Sequence, residues 1–195
     1  MRILVLVGAM LLAATAHAEA FSYKGVKLGD SIEVFRAALP VYSCDGSRCS
    51  YDARTCEASP GANNQSDAAS RFKACLDGAS FGGAPVTSGS AFFIEGKLAS
   101  IRLSIESDFL DIAAGPALET RFGKPQSIDD RPVTNRAGAK FKNWIKTWVH
   151  EDQTMRATLR SGMVDTGSVT ISNAAFDALQ KDAFRKANQA GAKDF

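Results

Sequence analysis

The chain has 195 residues, of which 45% are hydrophobic, 23% charged and 9% aromatic. These proportions suit a globular chain with one sizeable core or two small ones and exclude a disordered polymer, a collagen-like repeat and a multi-span membrane protein. Lys and Arg total 23 against 21 Asp and Glu, a net charge of +2. That balance argues against nucleic acid as the partner.

Met1-Arg2 precedes an unbroken apolar run over residues 3–12, and Ala16-His17-Ala18 follows it. This is the layout of a secretory signal peptide, with cleavage expected after Ala18 or, because Ala18-Glu19-Ala20 also fits, after Ala20. The run is shorter than the roughly 20 residues that span a bilayer. Removing residues 1–18 takes away Arg2 and His17, so 22 basic residues face 21 acids, and His150 becomes the one histidine. The first cysteine is Cys44, far from the cleavage site, so no lipid anchor is expected there. The expectation is a periplasmic or secreted protein without a stable membrane anchor.

Residues 21–42 read as a short extended start and a helix. Ser31 offers the N-cap, Ile32, Phe35 and Leu39 the apolar spacing, and Pro40 the stop. Cys44, Cys49, Cys56 and Cys75 follow within one segment. In an oxidising compartment such thiols form disulfides. Three pairings are open. The tight-turn sequence Asp45-Gly46-Ser47-Arg48 favours Cys44–Cys49, which leaves Cys56–Cys75. The competing reading is a four-cysteine zinc site. It expects two closely spaced pairs, whereas 4, 6 and 18 residues separate these cysteines. Residues 58–66 are rich in turn formers, and residues 67–76 allow a short helix.

Residues 91–94 and 98–105 read as a hairpin about Glu95-Gly96, with 79–86 as a weaker first strand. A second helix is expected over 108–121, with Phe109, Ile112, Ala113, Leu118 and Phe122 as its apolar stripe. Asp108 is its expected N-cap and Gly115-Pro116 an expected break in it. Gly123 and Pro125 end it. Residues 143–150, 154–159 and 167–172 read as three more strands. Asn173 then opens a last helix, 174–190, with Phe176, Leu179, Ala183 and Ala187 on one face. The pattern is α+β: helix plus three-stranded antiparallel meander over 21–106, the same over 107–173, and a C-terminal helix. The units would form one sheet with helices on one face, in a single domain spanning 19–195.

If residues 150–153 close their hairpin evenly, Trp148 faces Met155 and Trp144 faces Leu159. Trp144, Trp148, Met155, Ala157 and Leu159 then share the core face. The other face carries Ile145, Val149, Arg156 and Arg160 among threonines. In the first hairpin, alternation places Leu98 and Arg102 opposite Ile101, Leu103 and Ile105. Leu98, Arg102, Ile145, Val149, Arg156 and Arg160 are therefore the candidate partner surface.

Catalytic signals are sparse. A nucleophile–His–acid triad has only His150, at the hairpin tip His150-Glu151-Asp152. There is no G-x-S-x-G elbow, phosphate-binding loop or dinucleotide fingerprint. Glu106, Asp108 and Asp111 cluster between a strand and a helix, where capping and the helix dipole account for the last two. No cofactor or metal is implied. A small hydrolase using His150 is the enzymatic alternative, and a structural envelope component a third.

Three phrases carry a resemblance: GVKLGDS at Gly25–Ser31, FIEGKL at Phe93–Leu98 and LETRFGKP at Leu118–Pro125. With the element order, they resemble the β-lactamase-inhibitor-protein fold. The single unit is similar to the small lipoprotein subunit of the outer-membrane β-barrel assembly machine. The phrases are also similar to those of a broad set of exported bacterial proteins. The resemblance implies a non-enzymatic module that binds another cell-envelope or extracellular protein through its open sheet face.

Overall fold

The computed structural model describes residues 20–57 and 65–191. The expected signal segment 1–18 lies outside the described residues, as does 58–64 of the cysteine loop. The fold is mixed, a large antiparallel sheet with helices. A hairpin of β1 (Ser22–Tyr23) and β2 (Val26–Lys27) leads into α1 (Ile32–Ala38). Lys24 and Gly25 turn that hairpin with φ of 52° and 84°, the left-handed pair that matches strand twist. Ser31 caps α1, its hydroxyl accepting from the Val34 N–H. Phe35 and Leu39 drive the inner face of α1 into the core.

Two hydrogen-bonded strands, β3 (Ser43–Asp45) and β4 (Arg48–Asp52), are bridged by Cys44–Cys49. Cys56–Cys75 joins α2 (Arg54–Glu57) to α3 (Gln65–Gly78). Both bridges follow the pairing that the tight turn favoured. Two disulfides agree with an oxidising compartment. Among the described residues, no helix is long and apolar enough to cross a membrane.

Strands β5 (Val86–Ile94) and β6 (Lys97–Glu106) form the long central hairpin. Residues 79–85, read from sequence as strand, make only an isolated bridge from Phe81 to Ala84. The cysteine hairpin takes the place beside β5 instead. After β6 come α4 (Ser107–Phe109), a π-helical turn (Leu110–Ala114) and α5 (Gly115–Phe122). Pro116 lacks an N–H, so regular α bonding cannot run through it, and the ladder widens just before it. The inward row is Leu110, Ala114 and Leu118. Phe109 and Ile112, expected to be inside, are 40% and 73% exposed, because the π turn displaces the α-helical period on which that stripe relied. Asp108 is not the N-cap: Glu106 holds that position without a side-chain bond, and the first helical N–H, on Ser107, goes to the Asp165 carbonyl.

Short strands β7 (Ser127–Asp129), β8 (Val133–Thr134) and β9 (Lys140–Phe141) precede three longer ones. These are β10 (Ile145–His150), β11 (Gln153–Thr158) and β12 (Thr166–Asn173). Helix α6 (Ala174–Gly191) ends the described chain. The main sheet has eight strands in the order β3-β4-β5-β6-β12-β11-β10-β7. His150 pairs with Gln153 and Trp148 with Met155, so this hairpin has the even closure its sequence suggested.

Cross-strand register makes the two faces chemically opposite. One row runs Cys49, Ala91, Ile101, Ile171, Met155, Trp148 across β4, β5, β6, β12, β11 and β10. Every member is buried. α1 and the Leu110–Leu118 segment supply further residues to this core. Gly115 is required there: a Cβ would lie 2.9 Å from the Leu110 carbonyl oxygen and 3.3 Å from the Trp144 ring.

Candidate functional site

The adjacent row on the other face contains no aliphatic side chain. Ser43, Ser50, Ser90, Arg102, Thr170, Arg156, Thr147 and Ser127 follow one another across all eight strands. None of the eight is buried. The period-2 pleat converts alternation along each strand into this continuous stripe. Arg102 and Arg156 flank Thr170, with one strand between them, so their backbones lie about 10 Å apart.

Helix α6 folds across this polar face, not onto the core. Its Phe176 ring packs on Phe92, with 5.4 Å between ring centroids, and Arg48 covers the same Phe92 ring at 5.2 Å. Asn173 caps the helix by accepting from the Phe176 N–H at 3.0 Å. Of the stripe read from sequence, Leu179 is 56% exposed, and Phe184 nearby is 69% exposed. Phe176 is the anchor, and Asp177, Gln180 and Lys181 stand over the sheet.

Between α6 and the strands lies a depression of about 510 Å³. Arg102, Arg156, Thr170 and Ser172 are in its floor, and Asp177 and Lys181 in its helical wall. A second depression of about 420 Å³, over β4–β6, shares Arg102 and continues through Ser50, Ser90 and Ser104. The Arg102 guanidinium donates to Ser161 Oγ at 3.3 Å. The Arg156 guanidinium makes no hydrogen bond or ion pair among the described residues, although its charge helps to lower the pKa of Asp129. The main cause of that lowering is Arg131, which brings the Asp129 carboxyl down to about 2.

The six surface candidates divide. Arg102, Arg156 and Val149 are exposed, and Ile145 is half-buried on the same face. Leu98 is fully buried. The reason is a β-bulge: Phe92 pairs with Ser100 and Phe93 with Leu98, leaving Ala99 unopposed. The extra residue reverses the alternation and turns Leu98 inward with Phe93. Arg160 is half-buried and engaged. Its Nε donates to the Lys142 carbonyl at 2.8 Å and its Nη1 to Ser107 Oγ at 3.2 Å. It ties the loop before β10 to the start of α4 and is not free for a partner.

The acidic cluster is also structural. The Asp111 carboxylate accepts from Lys142 at 2.7 Å and from the Trp144 indole at 2.9 Å. Partial burial works to raise its pKa, but these bonds outweigh that and hold it below the usual carboxylate range. Glu106 and Asp108 are exposed and bring no second carboxylate to Asp111 in any hydrogen bond. His150 sits edge-on to Phe21 at 6.3 Å and has no hydrogen-bonded serine or carboxylate among the described residues. Among those residues, no group of three or more His, Cys, Asp or Glu side chains is placed to hold a metal ion.

Sequence reading placed the threonines of the β10–β11 hairpin on this face but missed the serines and Thr170 of the stripe and the lining from α6. Its signal was present in Ser88, Ser90, Ser168, Thr170 and Ser172, which alternate with small and apolar residues. Hydroxyls and guanidinium groups without a neighbouring base are suited to binding an anionic or hydrogen-bonding surface. No family model matches the chain, and no curated protein or solved structure matches it either.

Proposed function

We propose that this chain is an exported, non-enzymatic protein-binding module that engages another cell-envelope or extracellular protein through its polar sheet face. The observation that supports this most is the unbroken Ser/Thr/Arg row across eight strands, with the Arg156 guanidinium unengaged among the described residues. Arginine is enriched at interfaces because its planar fork binds carboxylates in pairs of hydrogen bonds. Val149, 47% exposed beside this row, adds apolar contact. The resemblance in element order to inhibitor proteins that bind through an open sheet face points the same way.

An affinity pull-down from periplasmic extract tests the reading, comparing wild type with the double variant Arg156→Glu, Val149→Asp. Both substitutions are on exposed side chains and leave the fold intact. A discrete partner lost in the variant is expected. A partner retained equally by both moves the interface elsewhere, and no partner at all for folded, oxidised protein rejects the module.

A further inference from the structure

We infer that the groove between α6 and the sheet takes an extended acidic segment of the partner protein, its carboxylates seated on Arg102 and Arg156. This rests on the binding-module reading and specifies its ligand chemistry. Three observations carry it. Arg102, Arg156 and Lys181 line the depression against a single acid, Asp177. The floor between the two arginines is Thr170, whose hydroxyl can donate to an anion. Among the described residues the Arg156 guanidinium is bonded to no carboxylate and acts on Asp129 only through its charge, whereas Arg54, Arg131 and Arg185 are each bonded to a nearby aspartate.

Geometry narrows the segment further. The two arginines are separated by two strand spacings, about 10 Å. A polyproline II segment repeats every three residues at about 3.1 Å each, so carboxylates at i and i+3 lie about 9 Å apart on one side. A flat β-strand puts i and i+3 on opposite faces and fits less well. Asp177 is the one acid lining the groove and competes with the ligand.

The test is fluorescence anisotropy with a labelled peptide of four Glu-Pro-Pro repeats, and a Gln-Pro-Pro peptide beside it. Binding by wild type is expected for the glutamate peptide alone, weakening as salt rises. Arg156→Gln and Arg102→Gln each weaken it about three- to tenfold, the range of solvent-accessible to partly desolvated ion pairs. Asp177→Asn tightens it, and Lys124→Gln, with the same loss of charge outside the groove, leaves it unchanged. Equal binding of both peptides, or arginine variants that bind like wild type, overturns the inference. So does polygalacturonate displacing the peptide at far lower carboxylate concentration, which makes the groove a glycan site. A partner captured in the pull-down but not released by the glutamate peptide removes this inference alone and leaves the binding module standing.

Discussion

The Gln126 side-chain amide pairs with the backbone of Val149 as a neighbouring strand would. Its Oε1 accepts from the Val149 N–H at 2.8 Å, and its Nε2 donates to the Val149 carbonyl at 2.9 Å. β7 stops short of this point, pairing only with Ile145 to Thr147 of β10. One carboxamide thus closes the sheet edge where the ladder runs out, a place that otherwise invites pairing with another chain. Gln126→Ala removes both bonds, each contributing about 1 kcal/mol net. The melting temperature is expected to fall by about 4–8 °C, given about 2–4 °C per kcal/mol at this size. Gln126→Glu keeps the acceptor and loses the donor. Amide hydrogen exchange at Val149 separates the two: it accelerates in the alanine variant and stays slow in the glutamate variant.

Tyr42 lies across β5 at Gly89. A Cβ on Gly89 would fall 2.1 Å from the Tyr42 hydroxyl oxygen and 2.9 Å from the ring. The hydroxyl is buried beside that of Tyr23 without a hydrogen bond of ordinary geometry, and burial pushes its pKa above the ordinary tyrosine range. Tyr42→Phe therefore deletes a buried polar atom without breaking a bond, and stability is expected to hold or rise. Gly89→Ala drives the ring out of its place and costs about 1–3 kcal/mol, the range of overpacked sites. The double variant recovers part of that loss, because the nearest clashing atom is gone. Denaturant unfolding of the four proteins gives the coupling; an additive result refutes the packing argument.

These residues also show what was legible in the sequence. The Trp144–Leu159 hairpin obeys strict alternation and closes through two turn residues, so its register followed from the letters. The cysteine hairpin was legible as a turn, but its pairing beside β5 is a long-range choice that local pattern does not encode. Leu98 was misplaced because a bulge at Ala99 is invisible to a period-2 count. Phe109 and Ile112 were misplaced because the π turn breaks the period of 3.6. The polar stripe was half legible. Arg102 and Arg156 stood out as charges in strands, whereas the serines completing the row gain meaning only when eight strands are laid side by side.

Asp111 joins the π turn to the segment before β10 through Lys142 and Trp144. Its folded pKa is lowered relative to the unfolded chain, where an aspartate titrates near 3.9. The contribution to stability is therefore complete above about pH 4 and is lost as pH falls below that through the folded value. Asp111→Asn keeps an acceptor for the indole but loses the charge. The variant is expected to be less stable than wild type at pH 7, with the gap narrower at pH 3 because the unfolded chain is then largely protonated. Denaturant midpoints at the two pH values check this, and a gap that is constant with pH assigns the effect to packing.

Arg160 and Arg156 lie four residues apart, and sequence reading gave them one role. The structure separates them. Arg160 bonds to the Lys142 carbonyl and to Ser107 Oγ, its guanidinium lies 5.3 Å from the Phe141 ring, and its own N–H goes to the Asn143 side chain. Arg156 is exposed and, among the described residues, engages none of its five guanidinium donors. Arg160→Ala removes two guanidinium hydrogen bonds and leaves a loop carbonyl to find water, a cost of about 1–3 kcal/mol. Arg160→Lys recovers little, since an ammonium cannot reproduce the planar fork. Arg156→Ala is expected within about 0.5 kcal/mol of wild type, as for an exposed side chain without a partner. Binding should reverse the order. At a temperature where all variants are folded, peptide affinity falls for Arg156→Ala and holds for Arg160→Ala. Thermal melts with anisotropy on the same samples decide it. If Arg160→Ala loses affinity at full folded fraction, the clip at Ser107 is itself part of the interface.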